Sequence, residues 1–148
     1  LSSNQKQVGQ ASHLCVFCVK TTIDEAYIRA FFDRIIATNN TPDDVLSPFR
    51  SSVISSFESK SDDDIFKWGA KQAYLAMGNM LTVCATQGID ACPMEGFDPE
   101  QYDRFFKLNE KGLRSVLVMP IGYRAEDDMF ASMKKVRKPL ADSIIEIK

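Results

Sequence analysis

The chain has 148 residues, 45% of them hydrophobic and 26% charged, a balance typical of one globular domain with a substantial core. Its net charge of −2 gives no basic field for nucleic acid or an anionic membrane, so we expect neither as a partner. No stretch approaches the roughly 18 apolar residues of a membrane span, and the first residues lack the layout of a signal peptide, so we expect a cytoplasmic protein.

The first predicted element is a strand over residues 13–20, HLCVFCVK, because β-branched and aromatic residues dominate this run. Its continuous apolar character predicts a buried strand. The polar residues just ahead of it, Asn4, Gln5, Lys6 and Gln7, are a further candidate binding segment, for which an ordinary terminal tail is the simplest interpretation.

Two cysteines in this strand, Cys15 and Cys18, have the C-x-x-C spacing of zinc sites and redox dithiols. Residues three apart along a strand face opposite sides, and His13 is the only histidine, so a shared metal or a disulfide is disfavoured. We predict structural cysteines at both positions, and small core residues at Cys84 and Cys92. A redox or zinc protein that uses Cys15 and Cys18 is the weakest of the alternatives.

Two helices are predicted after the strand. Thr22 and Glu25 form a capping box, and apolar residues at helical spacing follow until residues 37–40, ATNN. Residues 41–44, TPDD, mark a second start, with proline in the first turn and acids at the positive end of the helix dipole. Its continuation at residues 51–60, SSVISSFESK, is Ser-rich and is predicted to be marginal and mobile. The apolar face of the first helix comprises Tyr27, Ile28, Phe31, Phe32, Ile35 and Ile36.

The strongest predicted helix covers residues 61–87, with acids at its start and Gly88 as its C-cap. From Tyr74 onward it is apolar on nearly every side, and such a helix needs partners on all sides. Small residues such as Gly69 and Gly78 leave room for another backbone to approach. We therefore predict either a central core helix or a helix in a subunit interface.

The last third of the chain predicts one more helix and two strands. Asp98 to Gln101 form a capping box with Pro at the first helical position. Residues 113–123, LRSVLVMPIGY, predict a fully buried strand, and residues 143–148, SIIEIK, a possible last short strand. Strands interleaved with helices predict a single α+β domain over residues 1–148 with a buried sheet.

A basic run, KKVRKP at residues 134–139, is the first candidate binding segment. If it is extended, Lys135 and Arg137 point the same way and are able to grip one phosphate, the Arg as a planar fork and the Lys as a point charge. The alternative is a solvated basic surface strip.

The second candidate segment is ACPMEGF, residues 91–97. Pro93 and Met94 are able to form a floor for a flat ring, while the N–H groups of Glu95 and Gly96 reach polar ring atoms. The alternative is a connector between helices with a buried methionine.

The sequence offers few side chains suited to act as a catalytic nucleophile, acid or base. A Ser-His-acid triad would have to use His13, which begins a strand and suits a hydrogen-bonded structural role. The glycines form no G-x-G-x-x-G pattern, and the paired acids lie in solvated helix caps. This scarcity favours a bound cofactor that carries the chemistry.

The chain resembles the FMN-dependent nitroreductase family, especially the bacterial oxygen-insensitive NAD(P)H nitroreductases. The resemblance rests on four segments and runs from about Asn4 to the end: ASHLCVFCVK, WGAKQAYLAMGNMLTVCATQGIDACPMEGFD, EKGLRSVLVMPIGYRAEDD and KKVRKPL. It implies a nitroreductase-like α+β fold with a central, mainly antiparallel sheet flanked by helices.

The resemblance also implies a set of cofactor-binding residues. The Pro-x-Glu-Gly backbone of the family lies against the isoalloxazine ring of FMN, a late Lys-x-Arg holds the FMN phosphate, and an early Asn with a Lys or Gln three residues later contacts the flavin. The neutral side chain of Gln7 leaves less positive charge near the ring than a Lys would. The matching positions are Asn4, Gln7, Pro93, Met94, Glu95, Gly96, Lys135 and Arg137.

The implied activity is hydride transfer from NADH or NADPH through flavin N5 to nitroaromatics or quinones by a ping-pong mechanism, in a homodimer with residues 61–87 at the interface. A flavin or quinone reductase with incidental nitro activity is the first alternative. Family members begin with an Arg-Ser phosphate clamp that has no counterpart in this chain, so we expect an N-terminally shortened member. A non-catalytic dimeric relative is accordingly the second alternative.

Overall fold

The computed structural model describes residues 1–147. Helices and a three-stranded antiparallel sheet confirm the expected α+β class, whereas the extent of the domain stays a prediction. The strands are β1 (His13–Lys20), β2 (Asp90–Ala91) and β3 (Leu113–Gly122); the helices are α1 (Lys6–Gln10), α2 (Glu25–Asn39), α3 (Asp43–Glu58), α4 (Asp62–Thr86), α5 (Pro99–Phe105) and α6 (Leu140–Ser143), with a 3₁₀ turn at Asn109–Lys111.

The sheet is built around β3, which lies between β1 and β2. The register of β1 against β3 shifts in the middle, where Phe17 pairs with Leu117 and Cys18 with Ser115. Val116 is therefore the extra residue of a bulge in β3. Because the irregularity belongs to β3, the side chains of β1 keep their regular alternation between the two faces of the sheet.

Each face of the sheet has its own helical cover. Val16 packs with Tyr102 of α5 and Val118 of β3 in one buried cluster. On the opposite face, Val19 lies so close to Gly69 of α4 that a Cβ added to the glycine would be 3.0 Å from the Val19 Cβ. The long helix α4 therefore packs directly on the sheet through its small residues.

The two cysteines of β1 face opposite sides, as predicted from the spacing. Cys15 lies near Cys84 of α4, and Cys18 lies near Asp103 of α5. Burial is the main cause that raises the pKa of both thiols. The strand is nevertheless half-buried rather than buried, and Cys92, predicted in the core, is exposed.

The boundaries of α4 follow from its capping residues. At its start, the Ser61 hydroxyl accepts a hydrogen bond from the Asp64 amide at 3.2 Å. At its end, Gly88 has a φ of 68° and the Ile89 amide donates to the Cys84 carbonyl at 2.9 Å, which is a Schellman closure. The predicted helix over residues 61–87 is confirmed.

Helices α2 and α3 form a hairpin that packs on the start of α4 through Ile28, Phe32 and Ile65. The predicted cap at Thr22 is wrong, because the Asp24 carboxylate accepts the Tyr27 amide hydrogen at 2.8 Å. A helix cap needs an acceptor placed directly before the first turn, and Asp24 has that position.

The prediction of a marginal, mobile second half of α3 is also wrong, since α3 continues to Glu58. Pro48 cannot donate to the Asp44 carbonyl, but the Ser47 hydroxyl bonds to that carbonyl at 3.3 Å. Apolar side chains of the Ser-rich stretch pack against the cluster of the hairpin and stabilise the helix where propensity does not. These side chains are Val53, Ile54 and Phe57.

Both ends of the chain differ from the predictions. The polar N-terminal residues include the short helix α1 instead of a plain tail. The predicted strand at residues 143–148 is wrong for its described part, because residues 144–147 have no regular structure and lie away from the sheet; Lys148 is outside the described residues. Ile145 and Ile147 are 87% and 95% exposed, so no sheet edge accepts them. Within residues 1–147, no helix combines the length and apolar character needed to cross a bilayer.

The contact between Gly69 and Val19 predicts the cost of a side chain at this position. Replacing Gly69 by Leu should lower the free energy of unfolding by about 1–3 kcal/mol, because the added atoms overlap with Val19. Lys71→Leu introduces the same side chain at an exposed position of α4 and is the control. Urea denaturation measures both, and equal stability of the two variants would contradict the close packing of α4 on β1.

Candidate functional site

The segment Pro93–Gly96 follows β2 and is fixed to the central strand. The Met94 amide donates to the Val118 carbonyl at 2.8 Å, and the Val118 amide returns a bond to the Met94 carbonyl at 3.1 Å. Two residues before Met94, the Cys92 amide donates to the Pro120 carbonyl at 3.1 Å. The backbone therefore reaches the site as an extension of the sheet rather than as a loose connector.

Beyond Met94 the chain turns sharply around Gly96. The Phe97 amide donates to the Glu95 carbonyl at 2.9 Å, which closes a turn of three residues. Among the residues that the structure describes, no protein acceptor pairs with the N–H groups of Glu95 and Gly96, and both residues are exposed. Two neighbouring backbone donors are thus available to a ligand.

A cavity of about 380 Å³ lies between this segment and α4. Its volume is within the usual range of small-molecule and cofactor sites. Pro93, Met77 and Leu117 supply apolar surface, and polar atoms come from Tyr74 and Glu95. The lining residues are Tyr74, Met77, Pro93, Met94, Glu95 and Leu117.

A hydrogen bond from the Tyr74 hydroxyl to the Glu95 carboxylate joins α4 to the segment. This bond is the main cause that raises the pKa of Tyr74 above its ordinary value, with smaller contributions from burial and from the charge of Glu95. The phenol therefore holds its proton more tightly than a free tyrosine does.

The side-chain amides of Gln5 and Gln7 reach the same segment from the other face of the sheet. The Gln7 Nε2 atom donates to Gln5 Oε1 at 2.7 Å and lies 3.9 Å from Met94 Sδ. A Cβ added to Gly96 would be 3.1 Å from Gln5 Nε2, so the glycine leaves space for this amide. Gln7 thus lies beside Met94, its role in cofactor binding stays a prediction, and Gln5 was not assigned to the site because only the fold around α1 brings it to Gly96.

Asn4 lies apart from the cavity beside α4. Its φ of 55° is in the left-handed region, which asparagine tolerates better than most residues. Asn4 lines a second cavity, of about 320 Å³, together with Val8, Leu14 and Tyr102. Asn4 and the Pro93–Gly96 segment are therefore not joined in one pocket of this chain.

The basic segment is exposed and has no regular secondary structure. It does not form the extended strand that would make Lys135 and Arg137 point the same way. The Arg137 Nη1 atom donates to the Val136 carbonyl at 2.8 Å. Lys135 lies close enough to Asp90 of β2 to help lower the pKa of that carboxyl.

The first cause of the lowered Asp90 pKa is the hydrogen bond from Arg124. The Arg124 guanidinium binds the Asp90 carboxylate through two bonds, of 2.6 Å and 2.8 Å. This ion pair fastens the beginning of the C-terminal segment to the strand that leads into Pro93. Of the two predicted phosphate ligands, the structure brings Lys135 toward this strand and leaves Arg137 on the surface.

Metal chemistry finds no support among the described residues, which contain no group of three or more His, Cys, Asp or Glu side chains suited to hold a metal ion. The donors that are present suit a different ligand. An apolar floor beside two free backbone N–H groups fits a flat cofactor with polar edge atoms, and FMN has this character.

A site of this kind suits a protein that binds a flat cofactor. The model of the nitroreductase family matches residues 18–123, and the chain belongs to this family. The expected family, its fold and its enzyme class are thereby confirmed.

Three known proteins illustrate the similarity, and the chain spans about two thirds of the length of each. It is 36% identical over 147 residues to the oxygen-insensitive NAD(P)H nitroreductase of Salmonella typhimurium strain LT2, covering 97% of this chain and 68% of that protein. It is 31% identical over 147 residues to the major NAD(P)H-flavin oxidoreductase of Aliivibrio fischeri, covering 95% and 66%. A protein of Exiguobacterium sibiricum solved in complex with FMN has the same fold, with a TM-score of 0.81, 17% identity, and coverage of 98% and 67%. These descriptions agree with the cofactors expected from the sequence.

The bond between Tyr74 and Glu95 predicts an alkaline titration. Because its folded-state pKa is raised, Tyr74 should ionise above the ordinary value of about 10, and its bond with Glu95 should be lost as the pH rises through that raised pKa. Glu95→Ala should move the titration back toward the ordinary value. The ultraviolet difference spectrum between the chain and its Tyr74→Phe variant isolates this phenol, and an unshifted titration would contradict the bond.

Proposed function

We propose that the chain is an FMN-dependent oxidoreductase that takes electrons from NADH or NADPH and reduces nitroaromatics or quinones. The observation that carries this proposal is the Pro93–Gly96 segment, which is fixed to β3 and presents free backbone donors beside an apolar cavity. When bound, FMN would supply the two-electron chemistry, accepting hydride at N5 from the nicotinamide and passing it to the acceptor in a ping-pong order.

The residues of the segment would bind and orient the ring. Pro93 and Met94 would lie against its face, since the proline has no N–H group and the buried methionine holds the backbone in place. The N–H groups of Glu95 and Gly96 would donate to polar atoms near N5. A rigid donor pair needs no rearrangement when the electron density of the ring changes.

The remaining predicted residues would hold the rest of the cofactor. Lys135 and Arg137 would bind the phosphate, and their exposure leaves them free to turn toward an anion. Asn4, just ahead of α1, and Gln7 of α1 would contact the flavin outside the cavity beside α4, since neither residue lines that cavity. Because Gln7 is neutral, we expect less stabilisation of negative charge on the reduced ring than a lysine would give.

We also propose a homodimer, with α4 at the interface and the FMN between the subunits. One face of α4 packs on β1 and β3, but several of its large apolar side chains stay exposed in the single chain. Burying such a surface against a second copy is favourable by roughly 25 cal/mol per Å². The exposed side chains are Trp68, Tyr74, Leu75 and Val83.

A flavin or quinone reductase is the second candidate function, and the flavin oxidoreductase of Aliivibrio fischeri among the relatives favours it. The same backbone donors and cavity would serve both activities, so the acceptor decides between them. Steady-state rates with a nitroaromatic, a quinone and free flavin, compared as kcat/KM, distinguish the two. The four thiols, none of them in a disulfide within residues 1–147, suit the reducing cytoplasm that we propose as the location.

The phosphate assignment predicts a loss of FMN affinity. Arg137→Ala should weaken FMN binding by roughly 5- to 150-fold, or about 1–3 kcal/mol, because a charged partner of the phosphate is removed. Arg137→Lys should lie between the two, since it keeps the charge but loses the planar fork.

Fluorescence titration of FMN measures the dissociation constant of each variant. Lys138→Ala removes a neighbouring charge that is not assigned to the phosphate and is the matched control. If Arg137→Ala binds FMN as tightly as the unchanged chain, Arg137 does not hold the phosphate. A chain that retains no flavin absorption after gel filtration would contradict the proposed function itself.

The dimer proposal predicts a monomer when a charge is placed on the exposed face of α4. Leu75→Arg should dissociate the dimer, because Leu75 is 69% exposed in the single chain and would be buried in the interface. Val45→Arg introduces the same charge at a similarly exposed position of α3, 64% exposed, and should leave the dimer intact. Sedimentation velocity measures the mass, and a monomeric unchanged chain would rule out the proposal.

A further inference from the structure

The bond between Tyr74 and Glu95 has no role in the function described so far, yet both side chains belong to residues that line the cavity. We propose that Tyr74 is a positioning residue: its hydroxyl holds the Glu95 carboxylate away from the free N–H groups of Glu95 and Gly96, so that these donors stay available to FMN. This inference rests on the proposed function and extends it to a side chain of α4.

The reason lies in the chemistry of the turn. A carboxylate is a strong acceptor, and its bonds to backbone N–H groups are charge-assisted. The nearest unpaired donors to the Glu95 side chain along the chain are its own amide and that of Gly96. Without a competing partner, the exposed carboxylate would fold back onto the turn and occupy the donors that a ligand needs.

Tyr74 is well placed to prevent this, because both ends of the bond are fixed. On one side, its neighbour Ala73 is buried between α4 and the sheet, which sets the position of the helix. On the other side, Glu95 directly follows Met94, whose backbone is bonded in both directions to Val118. Tyr74 and Glu95 both line the cavity, and the tyrosine hydroxyl donates to the carboxylate there.

The same arrangement keeps a negative side chain beside the site without letting it enter. A tyrosine suits this task because it has few rotatable bonds and a hydroxyl at its far end. A phenylalanine at this position keeps the ring and the packing but loses the donor. The pair of side chains therefore allows a clean test of the hydroxyl alone.

A double-mutant cycle on FMN affinity tests the proposal. Tyr74→Phe should raise the FMN dissociation constant by about tenfold, since the freed carboxylate competes for the donors. In the Glu95→Ala background the same substitution should have little effect, because no carboxylate is left to compete. Tyr27→Phe, on the exposed face of α2, is the control and should bind FMN normally.

Equal FMN affinity of the chain and its Tyr74→Phe variant would overturn the proposal, and so would an undiminished loss in the Glu95→Ala background. The second result would mean that the hydroxyl contacts the ligand directly. Urea denaturation should give nearly the same midpoint for Tyr74→Phe and the unchanged chain, because the ring and its packing are retained and only the hydroxyl is lost.

A measurement without FMN separates this inference from the proposed function. In the flavin-free Tyr74→Phe chain, amide hydrogen exchange at Gly96, followed by NMR, should be slower than in the unchanged chain, because the carboxylate now accepts that hydrogen. Unchanged exchange would overturn the positioning role even if FMN binds. If exchange slows but no variant binds FMN, the positioning role stands and the proposed function fails.

Discussion

The site depends on one constraint, the pairing of the chain on both sides of β3. This strand holds β1 along one edge, and β2 and Met94 along the other. Val118 and Met119 at its centre are fully buried, so the strand has little freedom to shift. Because the residues next to the cavity continue this edge, the rigidity of the sheet core passes directly to the backbone donors of the site.

The second constraint is the close approach of α4 to the sheet. Gly69 and Ala73 place the helix axis near β1, since a larger side chain at either position would push it away. That distance determines where the next residue, Tyr74, reaches, and hence whether it meets Glu95. The small residues that allow close packing of α4 therefore also determine the contact between Tyr74 and Glu95. The far side of the helix keeps apolar side chains exposed.

Elements with strong local signals, such as the long helix α4 and the short helix α5 with its Asp98 cap, were predictable from the sequence, and short elements without such signals were not. Helix α4 has a capping serine at its start and a glycine at its end, and both act as their chemistry predicts. The helix α1 and the strand β2 are short and gain their stability from neighbours, which leaves little periodic pattern to detect. The exposure of Cys92 was not predictable for the same reason. This residue directly follows the short strand β2, and tertiary contacts alone determine its position.

The candidate site shows the same division. Pro93 to Gly96 could be located because their residue types are unusual for a turn, whereas Gln5 has no such signal and matters only through its position beside Gly96. The basic segment is a third case, since its Lys135 comes near Asp90 of β2, whose carboxylate is paired with Arg124. Both partners of that pair are about half exposed, so it adds little stability. Its effect is positional: it holds Arg124, just after the end of β3, beside β2, the strand that leads into the cavity.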